Sequence, residues 1–160
     1  MKPLKEARLL VLDVDGVLTD GGMYYGQEGV VQKFNSADGA GIIELRRRNF
    51  QVALVSFRDL PATRRRAVDL GINLLCLGSS EKAAALKNIC ANLSISPEDA
   101  IFMGDGLMDL PAVRTAGIGA CPSNAHPLLK AECDIITEAT GGAGAVREVV
   151  DMLLDSMKNG

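Results

Sequence analysis

Six short runs along the chain are apolar at nearly every position: "RLLVLDV" (8–14), "QVALVS" (51–56), "INLLCL" (72–77), "AIFMG" (100–104), "GIGA" (117–120) and "CDIIT" (133–137). A strand with one wet face alternates apolar and polar residues. Continuous apolarity marks strands covered on both faces, the habit of a parallel sheet. Between the runs, apolar positions recur three or four apart. In 81–93, Leu86, Ile89, Cys90 and Leu93 form a stripe with Lys82 at its start; in 143–157, Val146, Val149, Val150, Leu153, Leu154 and Met157 form another. "SPED" at 96–99 reads as a turn before the fourth run. This rhythm predicts an α/β fold built on a doubly wound parallel sheet with right-handed crossovers.

One stretch departs from the rhythm. In "GGMYYGQEGVVQKFNSADG" (21–39), "MYY" and "VVQKF" flank the turn-like "GQEG". Aromatic and β-branched runs around a glycine-containing turn predict a β-hairpin, here over about residues 21–34. It is inserted after the first strand, where a helix would ordinarily follow. No core needs it, so it reads as a lid or an association surface. No repeat or linker divides the chain, and residues 1–160 are expected to form a single domain.

Composition narrows the function. With 48% hydrophobic and 23% charged residues the chain can build a core and is not disordered. A net charge of −3 offers no general basis for binding nucleic acid or an anionic membrane, so a negatively charged substrate must be met by a few local Lys and Arg. The apolar runs are too short to span a bilayer, and "MKPLKEARLL" lacks a signal peptide's apolar core; a cytoplasmic address is the expectation. Cys76, Cys90, Cys121 and Cys133 form no C-x-x-C pair and read as buried, reduced thiols.

The chemistry concentrates at strand ends. In an open α/β sheet, ligands bind outside the carboxyl ends of the strands. The first run ends in Asp13-Val14-Asp15, the second in Ser56, and the fourth runs into "GDGLMD" with Asp105 and Asp109; Lys82 follows the third. Clustered carboxylates are costly to bury without a cation or a proton, and two or three of them can hold Mg2+, which takes oxygen ligands. An aspartate can attack phosphorus, and a second can carry a proton to and from the reacting oxygens. A Lys and a hydroxyl can hold phosphoryl oxygens as charge builds on them. The kit suits phosphoryl transfer and needs neither a His nor a Cys nucleophile.

"DVDGVLTD", "SFRD", Lys82 and "GDGLMD", in that order, resemble the four motifs of the haloacid dehalogenase superfamily of phosphatases. "LDVDGVLTDGGMYY", "KFNSADGAGI", "NAHP" and "GGAGAVREV" narrow the resemblance to its small capless members acting on eight- and nine-carbon sugar acid phosphates, over about residues 7–154. The resemblance implies a Rossmann-like core with the hairpin in place of a cap domain. It makes Asp13 the nucleophile, and Asp15 the general acid/base and a metal ligand through its backbone carbonyl. Asp105 completes a Mg2+ site with Asp13 and Asp15, Asp109 supports it, and Lys82 neutralises Asp13 and the phosphate. Ser56 binds the phosphoryl group and Arg58 the substrate.

The implied activity is release of phosphate from an eight-carbon ulosonate phosphate, with a product that feeds lipopolysaccharide or a related surface glycan. A nine-carbon ulosonate phosphate or another sugar phosphate is the alternative. A non-catalytic oligomerisation domain, like that fused to sialate cytidylyltransferases, is a further one. The resemblance also implies a homotetramer in which the hairpin reaches a neighbouring active site. Phe57 stands where the family usually has a small Gly, and Met108 and Gly106 where it often has Asn and a second Asp. These departures bear on substrate identity rather than on bond making.

Other polar residues have plainer readings. Asp20 caps a turn before the hairpin, and His126, just before Pro127, marks a helix entry. The "RRR" triplets at 46–48 and 64–66 read as solvated helix faces, with Arg65 or Arg66 as candidates to reach a sugar carboxylate. "GGAGAVRE" reads as a flexible entry to the last helix or as a phosphate loop, with Arg147 a minor candidate for the pocket.

Overall fold

A computed structural model describes residues 2–158. Strand β1 (Leu9–Leu12) is followed by the hairpin strands β2 (Tyr24–Gly26) and β3 (Gly29–Val31) and by helix α1 (Ser36–Arg47). Then come β4 (Gln51–Ser56), α2 (Pro61–Leu70), β5 (Leu74–Leu77), α3 (Lys82–Asn92) and β6 (Ala100–Met103). The chain closes with α4 (Leu110–Thr115), β7 (Ile118–Cys121), α5 (Pro127–Lys130), β8 (Ile135–Ile136) and α6 (Ala145–Lys158).

Six strands pair in the order β5-β4-β1-β6-β7-β8, every contact parallel. The expected α/β sheet is therefore present, and its apolar runs are explained by which face each residue serves. Leu10, Leu12, Val52, Leu54, Ile101 and Met103 pack with α1, α2 and α6 on one face. Leu9, Val11, Ala53, Val55, Ala100 and Phe102 pack with α3 and α4 on the other. The strands do alternate, but between two apolar layers, so the alternation is invisible in hydropathy.

Local sequence sets the helix ends. Asn35 accepts the N–H groups of Ala37 and Asp38 to start α1. Pro61 opens α2, which ends on Gly71 in the left-handed conformation at φ 67°. In α6, Val146, Val149, Val150, Leu153 and Leu154 are all buried. Each such side chain contributes about 1.5–3 kcal/mol. That stripe closes the first core layer against Ile42 and Leu45 of α1.

Two strands are shorter than the apolar runs suggest. β1 stops at Leu12 and β5 begins at Leu74. Asp13 still donates its N–H to the Met103 carbonyl, but its carboxylate lies at the sheet's carboxyl edge, where it lines the pocket. The predicted hairpin forms as a separate two-stranded sheet, with Tyr25 opposite Val30. Among the described residues, no helix is long and apolar enough to cross a membrane.

Candidate active site

β1 lies centrally, and the connection from β5 to β6 carries the chain across it, so the sheet reverses its winding beside β1. At that switch point a pocket of about 400 Å³ opens at the carboxyl ends of β1, β4 and β6. Asp13, Asp15, Ser56, Arg58, Lys82, Asp105 and Asp109 all line it, together with Phe57, Leu107, Met108 and His126. Groups spread over nearly a hundred residues of sequence thus meet in one place. The pocket is where the strand-end reasoning puts it.

Lys82 sits at the centre of the charges. It is 4% exposed, and its Nζ donates to Asp109 Oδ1 at 2.6 Å and pairs with Asp13 Oδ1 at 3.0 Å. Burial alone would lower its pKa, but the charges of Asp13 and Asp109 hold it above the ordinary lysine value. Asp13 Oδ1 also accepts the Val14 N–H at 2.8 Å, and these two donors fix the plane of the carboxylate. Burial, then the Asp109 charge, pushes Asp13 well above the usual carboxylate range against the pull of Lys82. Asp105 is raised by the same two causes, and its carboxyl lies within hydrogen-bond reach of Asp13.

Asp13, Asp105 and Asp109 offer oxygens that all lie within 4.8 Å of one another. Their availability differs. Asp109 commits Oδ1 to Lys82 and Oδ2 to the N–H groups of Asp105 and Gly106, at 2.9 and 3.1 Å. It shapes the loop and holds the lysine. Asp13 and Asp105 press together at the pocket, and among the described residues nothing donates to the Asp15 carbonyl. An all-oxygen donor set whose two acids repel each other fits a hard divalent cation such as Mg2+.

Gly16 makes this approach possible. It adopts φ +84°, and a Cβ there would overlap the Asp105 carboxylate.

The raised acids give a signed expectation for stability. A group whose folded pKa exceeds its unfolded value supports the fold below the ordinary carboxylate range, and that support is lost as pH rises through the raised value. Lys82 contributes the same sense only in strongly alkaline solution. Metal-free protein is therefore expected to melt at lower temperature at pH 8 than at pH 5. Saturating Mg2+, near one hundred times its Kd, should raise the Tm by about 5–11 °C at pH 8 and by less at pH 5. Calorimetry showing an equal or larger shift at pH 5 would contradict this account.

The remaining residues separate cleanly. Ser56 is 2% exposed at the end of β4, and its Oγ accepts the Arg58 N–H at 3.3 Å. Arg58 Nε lies 3.7 Å from Asp15 Oδ2. Phe57, Leu107 and Met108 are exposed at the pocket mouth and make its rim apolar. His126 accepts the Leu128 N–H through Nδ1 as the cap of α5. Its backbone N–H holds the Asp105 carbonyl, so the helix-entry reading stands, yet the ring also lines the pocket. Asp20 accepts the Gly22 N–H at 2.8 Å and caps the turn as expected.

Three candidates do not line the pocket. Arg66 lies over the Phe34 ring and donates to the Asn35 carbonyl, and Arg65 is exposed elsewhere on α2. Arg147 pairs with Asp151 of its own helix and with Glu44 of α1. Nor is the glycine cluster a phosphate loop. A Cβ on Gly141 would overlap the Gly16 carbonyl oxygen, and Gly142 donates its N–H to Val17. The glycines let this segment lie flush against the acid-bearing loop.

Sequence reasoning passed over Gln32 and Thr63. The Gln32 amide donates to Asp15 Oδ1 at 2.9 Å and accepts the Thr63 hydroxyl at 2.7 Å. Nothing in the sequence marks Gln32, which follows Val31 and precedes Lys33; the structure turns it inward between two exposed neighbours.

A family model described as haloacid dehalogenase-like hydrolase matches residues 76–149. The chain is 41% identical over 155 residues to 3-deoxy-D-manno-octulosonate 8-phosphate phosphatase KdsC of Salmonella typhi, covering 96% of this chain and 82% of that protein. The Yersinia pestis phosphatase of the same name is 40% identical over 148 residues, 92% of this chain and 79% of that one. Among solved structures, the fold is similar to the Moraxella catarrhalis phosphatase of that name in complex with a magnesium ion, a phosphate ion and KDO. The TM-score is 0.95 at 37% identity, over 98% of this chain and 91% of that chain.

Proposed function

Since this chain belongs to the haloacid dehalogenase-like hydrolases, we propose that it is a Mg2+-dependent phosphatase that releases inorganic phosphate from 3-deoxy-D-manno-octulosonate 8-phosphate. The observation that carries the reading is the convergence of Asp13, Asp15, Ser56, Lys82 and Asp105 on one pocket, in a chain similar over nearly its whole length to phosphatases named for that substrate.

Asp13, its plane fixed by Lys82 and the Val14 N–H, attacks phosphorus and forms an aspartyl phosphate as the bond to the sugar oxygen breaks. Asp15 gives its proton to that departing oxygen. Water then attacks the phosphorus, Asp15 takes a proton from it, and phosphate leaves as the Asp13 carboxylate is restored. Lys82 and Ser56 hold the phosphoryl oxygens, and Arg58 meets the substrate at the rim. Asp13, Asp105 and the Asp15 carbonyl would hold Mg2+, which when bound offsets the charge of the phosphoryl group. The exposed Tyr24, Tyr25 and Val31 of the hairpin support its docking on a neighbouring copy within a homotetramer.

Phosphate release should be measured across a panel of esters with and without Mg2+, including eight- and nine-carbon ulosonate phosphates and simple hexose phosphates. The eight-carbon ester is expected to show the highest kcat/KM, with turnover abolished by chelation. Preference for the nine-carbon ester would assign the apolar rim at Phe57 to a different sugar. Failure on every ester would leave only a non-catalytic role for the fold.

A further inference from the structure

We infer that Gln32 is a positioning residue that locks the Asp15 carboxyl for proton transfer, and that Thr63 locks Gln32. The inference rests on the phosphatase reading above and concerns groups outside the pocket lining.

Asp15 can rotate about its side-chain bonds unless something holds one oxygen. Gln32 Nε2 holds Oδ1 at 2.9 Å from the buried side. Oδ2 is left on the side of Arg58, whose Nε at 3.7 Å is too distant for a hydrogen bond. One oxygen is thereby anchored and the other left open at the pocket to exchange a proton with the reacting oxygens.

The direction of the amide matters as much as its presence. The Gln32 carbonyl oxygen accepts the Thr63 hydroxyl at 2.7 Å, and Thr63 is 1% exposed in the first turn of α2. Turning the amide over would place its oxygen against Asp15 Oδ1, two acceptors facing each other, and would forfeit the Thr63 donor. A buried amide with both ends engaged has one orientation. The three residues come from the loop after β1, the segment leaving β3 and the start of α2, so the seating of the hairpin is transmitted directly to Asp15.

A packing role and a positioning role are separable by the leaving group. The kcat/KM value reports events up to loss of the leaving group. A sugar alkoxide needs a proton as it departs, whereas 4-nitrophenolate does not. Gln32→Leu and Thr63→Val keep side-chain bulk and remove the hydrogen bonds, and Thr63→Ser keeps the hydroxyl.

With Mg2+ present, Gln32→Leu is expected to lower kcat/KM for the best alkyl phosphate ester by about 10–100-fold and for 4-nitrophenyl phosphate by less than about threefold. Thr63→Val should shift both in the same pattern, Thr63→Ser should restore the alkyl ester rate, and the Gln32→Leu/Thr63→Val pair should be no worse than Gln32→Leu alone. Should Gln32→Leu fail to melt cooperatively, the Thr63→Val and Thr63→Ser comparison decides. Equal losses on both esters, or no loss on either, overturn the role of Gln32 alone. No turnover of any ester by the unaltered chain overturns the phosphatase reading, and this role with it.

Discussion

Asp13→Asn is expected to slow phosphate release by at least about 10⁴-fold while leaving a folded protein. The asparagine keeps an oxygen for the Val14 N–H that Asp13 Oδ1 now accepts at 2.8 Å. Lys82 keeps Asp109 at 2.6 Å, so the lysine is not stranded. The change also removes a buried charge whose ionisation is opposed by burial and by Asp109. The melting temperature should therefore hold or rise in metal-free protein, and only chemistry should be lost. Steady-state phosphate assays beside calorimetry check both halves. Turnover within tenfold of the unaltered chain would remove Asp13 from the nucleophile's role.

Lys82→Met should damage both stability and rate. The ammonium bridges two acids that are themselves nearly inaccessible, with side chains 7% and 1% exposed for Asp13 and Asp109. Methionine fills the volume but leaves two buried carboxylates without a cation, and removing one partner of a buried pair costs about 3–5 kcal/mol. For a chain of this size that is a fall in Tm of about 6–20 °C. Losing a preorganised donor to the phosphoryl oxygens should cost a further factor of about 10²–10³ in kcat. Arginine should not rescue it, because a guanidinium is a wide planar fork where a compact charge now sits 2.6 and 3.0 Å from its partners. An unchanged melting curve for Lys82→Met would mean that the ion pair does not hold this corner together.

The parts of the fold legible in the sequence share a physical cause. Strands such as Gln51–Ser56 announce themselves because both faces are buried, and α6 because its apolar positions keep a helical period. Asp13, Asp15, Ser56, Lys82, Asp105 and Asp109 were findable because charged groups at the ends of apolar runs are conspicuous. Gln32 and Thr63 were not, since an isolated uncharged polar residue, just past a strand or in the first turn of a helix, carries no pattern and gains meaning only from partners 17 and 31 positions away. The Gly141-Gly142 segment stayed open between two readings for a different reason. Glycine-rich sequence marks freedom and close approach alike, and only the structure separates the two.

Gly141 and Gly142 carry a consequence for the order of events in the cell. The loop bearing Asp13 and Asp15 is synthesised long before the segment that braces it, and Asp38 likewise waits for the Arg147 N–H that it holds at 2.8 Å. Domains are synthesised N-terminus first, at about 5–20 residues per second. A nascent chain carrying every reactive group through Asp109 still lacks the backbone that shapes their loop. Competence thus waits for the segment that follows residue 140, and a stop there would leave all the proposed site residues encoded and the enzyme silent.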